Sequence, residues 1–117
     1  MADRKLTFED ACHYAELRGY AHREDPSRAK DYTGKFFRSP WTGYPIMVLY
    51  EAPRRIPKGK DKPEVMWWVM DSLGDIAGIY SRNIRLMEEV KGMPLGDSGY
   101  NKIVKVLNGY MEDNENV

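Results

Sequence analysis

A chain of 117 residues has room for one hydrophobic core but not for two independent ones. Its 42% apolar and 31% charged content is that of a folded globule, outside the low-hydrophobicity, high-charge range of disordered chains. Eighteen basic residues balance eighteen acidic ones, which excludes a global field that draws in nucleic acid or an anionic membrane and leaves electrostatic recognition to local patches.

The single cysteine, Cys12, cannot close an internal disulfide, which points to a reducing cytoplasm rather than a stapled secreted fold. The opening Met1-Ala2-Asp3-Arg4-Lys5 lacks the apolar stretch of a signal peptide. The apolar runs 45–50 and 65–70 fall far short of the roughly 20 residues that cross a bilayer, and read as buried strands.

Thr7 is placed as an N-cap, with Asp10 three residues on completing a capping box and Leu6 and Ala11 forming a hydrophobic staple, so a helix is expected over residues 8–18. Phe8, Ala11, Cys12, Ala15 and Leu17 give it one apolar side, and Gly19 supplies a left-handed terminator. Asp25-Pro26 pairs an N-cap with a first-turn proline, predicting a short second helix that ends at Gly34. Residues 32–44 break into turns at Ser39-Pro40 and Thr42-Gly43 and are expected to be loop, with aromatic side chains pinned to the core.

Residues 46–51 and 65–70 are rich in β-branched and aromatic side chains, while the stretch between them holds three prolines and a glycine, so two strands joined by an exposed loop are predicted. Asp71-Ser72-Leu73-Gly74-Asp75 is turn chemistry, which makes residues 76–80 a third strand paired back onto the second. Residues 81–91 carry two signals. Ile84, Leu86 and Val90 alternate as in a strand, Ser81 and the run 86–90 favour a helix, and the balance leans to strand. Beyond a glycine-rich linker, Tyr100, Ile103, Val104, Leu107 and Met111 recur at helical spacing, predicting a C-terminal helix from near Ser98 to Gly109. The expected fold class is α+β: a small antiparallel sheet of three to five strands flanked by an N-terminal and a C-terminal helix. One domain is expected over residues 1–111, followed by a flexible acidic tail at 112–117.

The stretch Trp67-Trp68-Val69-Met70-Asp71, then Gly74, then Ile79-Tyr80-Ser81-Arg82-Asn83-Ile84, resembles the second half of an SH3-type barrel. In that family a tryptophan pair on one strand is followed by a hairpin, a strand, a short 3₁₀ turn and a last strand. Leu49-Tyr50-Glu51 is similar to the family's early Leu-Tyr-Asp signature. The resemblance implies an SH3-like small β-barrel. Tyr80 stands where the family has proline, and Arg82-Asn83 replace the residues that build its polyproline groove, so no ligand is carried over with it.

Two features bear candidate binding chemistry. Arg54, Arg55, Lys58, Lys60 and Lys62, with Asp61 the one acid among them, form a basic loop able to neutralise phosphates or an acidic protein face. A lysine-rich loop equally serves to keep a hairpin solvated. Tyr32, Phe36, Phe37, Trp41 and Tyr44 crowd one segment together with Lys35 and Arg38, a mixture used to stack bases, to anchor protein interfaces and to pack cores.

Cys12, His13 and His22 are the soft metal ligands, and their spacing matches no zinc pattern, so no metal and no cofactor is expected. Cys12 and His13 point apart on a helix and make a poor nucleophile and base. Glu51, Asp71 and Asp75 adjoin the predicted sheet beside turns, which favours structural work over acid–base catalysis. No glycine-rich phosphate loop, nucleophile elbow or metalloprotease helix occurs, and no catalytic residue is assigned.

The expectation is therefore a small non-enzymatic binding module acting by surface contact on a protein partner through Phe37, Arg38, Trp41, Arg54, Arg55 and Lys58, without membrane attachment. An accessory or inhibitor role, of the kind phages direct at host machinery, fits its size. The alternative is a nucleic-acid-binding protein using the basic loop 54–62 and the aromatic segment 32–44. Pairing of two copies through a sheet edge is a further possibility.

Overall fold

The structure, a computed structural model, describes residues 7–23, 32–93 and 95–115. The first helix, α1 (Phe8–Leu17), opens on the expected capping box: the Thr7 hydroxyl accepts the Asp10 N–H at 3.1 Å and the Asp10 carboxylate accepts the Thr7 N–H at 3.0 Å. Gly19 follows its end with φ +90°, a conformation that a side chain would resist.

Five antiparallel strands, β1 (Phe36–Arg38), β2 (Pro45–Arg55), β3 (Glu64–Asp71), β4 (Ile76–Tyr80) and β5 (Glu89–Val90), form one sheet in the order β4-β3-β2-β1-β5. One helical turn, α2 (Ser81–Ile84), links β4 to β5, and the long helix α3 (Asp97–Glu115) closes the chain. Along the chain β3, its hairpin, β4, the turn α2 and β5 follow one another in that order.

Both faces of the sheet carry a packed apolar layer. Alternate residues of β2 and β3 send Met47, Leu49 and Met70 to one face, where Ala11, Tyr14 and Ala15 of α1 and Ile103 of α3 meet them. Their neighbours Ile46, Val48, Trp67 and Val69 point the other way and pack with Ile79, Ile84, Phe37 and Tyr32. Val48 pairs with Val69 but Tyr50 pairs with Trp68, so Leu49 is an extra residue in the ladder. This bulge brings Leu49 and Tyr50, adjacent in sequence, to the same helical face.

Residues 20–23 lie as a strap across that face. The Tyr50 hydroxyl donates to the Tyr20 carbonyl, the Trp68 indole N–H donates to the Ala21 carbonyl at 2.9 Å, and the Arg23 N–H donates to the Glu51 carbonyl at 3.0 Å. The Arg23 guanidinium also pairs with the Glu51 carboxylate. The two tryptophans differ here: among the described residues the Trp67 indole N–H is buried without an acceptor.

Several expectations change. Residues 36–38, expected as loop, are strand β1, because β2 and β5 on either side supply the ladder that local propensity does not encode. Residues 81–91, leaning to strand, divide into the helical turn α2 and the two-residue strand β5. The C-terminal helix runs through Gly109 to Glu115, since one interior glycine costs only about 1 kcal/mol. The predicted helix opening at Asp25-Pro26 falls outside the described residues for most of its length; Thr33-Gly34, at its expected end, forms a turn.

The hairpin between β3 and β4 is where α3 docks. One Asp71 carboxylate oxygen accepts the N–H groups of Leu73 at 2.9 Å and Asp75 at 3.0 Å, and Gly74 takes φ +80°. The Gly96 N–H donates to the Ser72 carbonyl at 3.1 Å, and Gly99 lies so close that an added Cβ would sit 2.4 Å from that carbonyl oxygen. Gly99→Ala is therefore expected to destabilise by roughly 2 kcal/mol or more through overpacking against backbone. Gly109→Ala, with nothing within 4 Å of its added methyl, is expected to stabilise by about 0.5–1 kcal/mol. Paired denaturant melts check the opposite signs.

Candidate functional site

The β1–β2 connection is a rigid platform rather than a slack loop. Ser39 is buried, and its hydroxyl accepts the N–H groups of Trp41 at 3.3 Å and Thr42 at 3.4 Å. The Ser39 backbone closes the turn twice, with its N–H donating to the Tyr44 carbonyl at 2.9 Å and its carbonyl accepting the Gly43 N–H at 2.8 Å. Gly43 permits this through φ +78°, and the Arg38 guanidinium ties the turn back by donating to the Gly43 carbonyl at 3.0 Å. The outcome is that Trp41 and Tyr44 stand 66% and 67% exposed on a fixed backbone.

Beneath Trp41 runs an open groove of about 300 Å³ on the sheet face opposite α1 and α3. Ile46, Val69 and Ala77 line it, Ile79 continues it along β4, and Asp71 and Asp75 border it. Ala77 is exposed, so among the described residues this part of the face has no cover. Asp71 is held as a turn cap, while Asp75 pairs with Lys102 at 2.6 Å. That bond makes the Lys102 ammonium hold its proton more tightly.

A second depression of similar size lies on the helical face, between Tyr14, Arg18, Tyr20, Asp75 and Lys102, where the Lys102–Asp75 pair occupies its polar wall.

The sequence-predicted contact residues separate into three groups. Phe37 is 4% exposed in the core with Tyr32 and Trp67, because β1 turns it onto the covered face; it is not a surface contact. Trp41 lies at the groove end, while Arg38 does not line the groove and is engaged by Glu88 at 3.3 Å. Arg54, Arg55 and Lys58 are exposed at the far end of β2, where the turn after Pro57 is closed by the Lys60 N–H donating to the Pro57 carbonyl at 3.0 Å. The nine steps from Pro45 to Arg54 correspond to about 30 Å of strand, so the basic loop and the aromatic platform occupy opposite ends of the sheet. Tyr44, named in the aromatic segment but not among the expected protein contacts, and the groove floor at Ala77, which went unassigned, are exposed because of what the fold leaves uncovered.

Cys12 and the histidines do not assemble a metal site: among the described residues no three of histidine, cysteine, aspartate and glutamate converge. His22 stacks on the Tyr50 ring at 3.7 Å and pairs with Glu16 at 3.2 Å. The Cys12 thiol faces the Leu49 carbonyl, and burial, then the nearby charges of Glu16 and Glu9, push its pKa from 9.0 up to about 11. Burial also raises the Tyr50 phenol above its ordinary value. Among the described residues no helix is long and apolar enough to cross a membrane. Comparisons with protein-family models, with curated proteins and with solved structures return no match.

Cys12 is expected to react with thiol reagents near neutral pH about a hundredfold more slowly than an unperturbed thiol, the factor that two pH units of thiolate depletion set. Because the folded state holds the Cys12 proton more tightly than the unfolded chain, the stability it lends is fully present below pH 9 and is lost as pH rises through about 11, and the raised Tyr50 phenol extends the decline to higher pH. Denaturant melts across that window are expected to show the decline, with a shallower slope for Cys12→Ala.

Proposed function

We propose that this chain is a binding module that acts on a protein partner through the Trp41 groove. The observation that carries this reading is Trp41, held exposed on a hydrogen-bonded turn above an apolar channel, with a second large aromatic, Tyr44, exposed on the same turn. Aromatic anchors on a rigid backbone lose little entropy on binding and dominate protein interfaces. Asp71 and Asp75 bordering the channel disfavour a phosphate backbone and suit a partner that presents an apolar side chain beside a cation. The separation of the basic loop from the aromatics weighs against a single-strand nucleic-acid platform, which needs both along one path. The single cysteine, with no second cysteine in the chain to pair with, suits a reducing cytoplasm.

Affinity capture from the native cell, with the full chain as bait, tests the reading. Trp41→Ala combined with Tyr44→Ala is expected to abolish retention of the partner at unchanged melting temperature, while Arg54→Glu, Arg55→Glu and Lys58→Glu together leave it intact. Retention is expected to change little with salt or nuclease treatment. Loss on charge reversal of the basic loop, with steep salt dependence and nuclease sensitivity, assigns the function to nucleic acid instead.

A further inference from the structure

The two edges of the sheet are built differently. At one edge β5 is two residues long, carries Glu89 and is followed by Lys91, charges that discourage a further strand. At the other, β4 reads Ile76-Ala77-Gly78-Ile79-Tyr80, with no charge and no proline. It pairs with β3 at five consecutive positions without a bulge, and among the described residues no strand lies on its outer side. Among the described residues β4 thus carries no charge, proline or bulge of the kind that protects a sheet edge.

The phase of the ladder shows what this edge offers. The Asp71 N–H donates to the Asp75 carbonyl at 3.0 Å, which marks that pair as hydrogen-bonded. Alternation along the antiparallel ladder then turns the polar groups of Ala77 and Ile79 toward β3. Those of Ile76 and Gly78, and the N–H of Tyr80, turn outward. Ala77 and Gly78 are both exposed, so short side chains leave this backbone open to approach.

The strand is complementary to itself. We infer that β4 pairs antiparallel with β4 of a second copy of this chain about a two-fold axis through Gly78. In that register Gly78 meets Gly78, Ile76 meets Tyr80, and the small Ala77 of each copy meets the large Ile79 of the other. The outward backbone groups coincide as hydrogen-bonded positions. Asp75 of each copy comes alongside Ser81 and Arg82 of the other; within the single chain Asp75 and Arg82 pair with Lys102 at 2.6 Å and Glu64 at 2.8 Å yet stay 60% and 45% exposed, so each also meets the opposite charge of the second copy. An unrelated strand has no reason to match both the size pattern and the charges. Ile79 of the second copy also supplies an outer wall to the Trp41 groove beside Ala77 and leaves Trp41 uncovered, so the pairing goes beyond the proposed partner contact without competing with it.

Sedimentation equilibrium of the full chain is expected to give about twice the 13.6 kDa of one copy, dissociating on dilution. Ala77→Lys sets a charge on the exposed edge and is expected to weaken self-association roughly tenfold or more. Tyr80→Pro is expected to do the same: Tyr80 has φ −69°, which proline adopts without strain, and the N–H removed is one that β3 does not use. Trp41→Ala is expected to leave the dimer unchanged, which separates this result from loss of the partner site. A chain that sediments as a monomer at all concentrations overturns the inference. So does a dimer indifferent to Ala77→Lys, whatever the folding of Tyr80→Pro.

Discussion

The pairing of β2 with β3 holds the molecule together, because these two strands put apolar side chains on both of their faces at once. Met47, Leu49 and Met70 need a cover on one side, and Ile46, Val48, Trp67 and Val69 need one on the other. Each large side chain of this kind contributes about 1.5–3 kcal/mol when withdrawn from water, and neither half of that gain is collected unless both layers form. The helices α1 and α3 form one layer, while Tyr32, Phe37 and Ile84 form the other. The bulge at Leu49 adjusts the fit, giving the helical side two consecutive residues and aiming the Tyr50 hydroxyl at the strap carbonyl of Tyr20. Hydrogen bonding follows the same plan, since the strap also accepts the Trp68 indole N–H that would otherwise face the helical layer unpaired.

The groove on the opposite face is where this second cover runs out. Tyr32, Phe37 and Ile84 reach Val48, Trp67 and Ile79 but leave Ala77 in solvent. Trp41 overhangs that gap from a turn that Ser39 and Gly43 hold in shape. The exposed aromatics are thus a consequence of how the β1–β2 turn is stapled. On the proposed reading, a partner there meets a preformed shape and does not have to order a loop. The basic loop has a different character, since Arg55 faces Glu64 across the ladder and its lysines stand in solvent at the remote end.

Elements defined by local chemistry were legible in the sequence. The Thr7–Asp10 box announced α1, the Asp71–Asp75 turn announced the β3–β4 hairpin, and β-branched runs announced β2 and β3. What escaped was non-local: β1 exists because β2 and β5 flank it, and β5 exists because α2 returns the chain to β1. The same division holds for the candidate site. Trp41 and Arg38 were read from residue type, but Phe37 is drawn inward by strand alternation that a loop assignment hides. The joining of basic and aromatic segments into one surface failed for a geometric reason, because an eleven-residue strand keeps them apart.

Because α1 packs against α3, the first and last helices of the chain share one apolar layer, and Ile103 completes a cluster that begins at Ala11. During synthesis the early helix therefore waits, its inner surface unmatched, while the whole sheet emerges from the ribosome. The cooperative unit closes after translation has passed Ile103, and the nascent chain up to that point is the species that chaperones would meet.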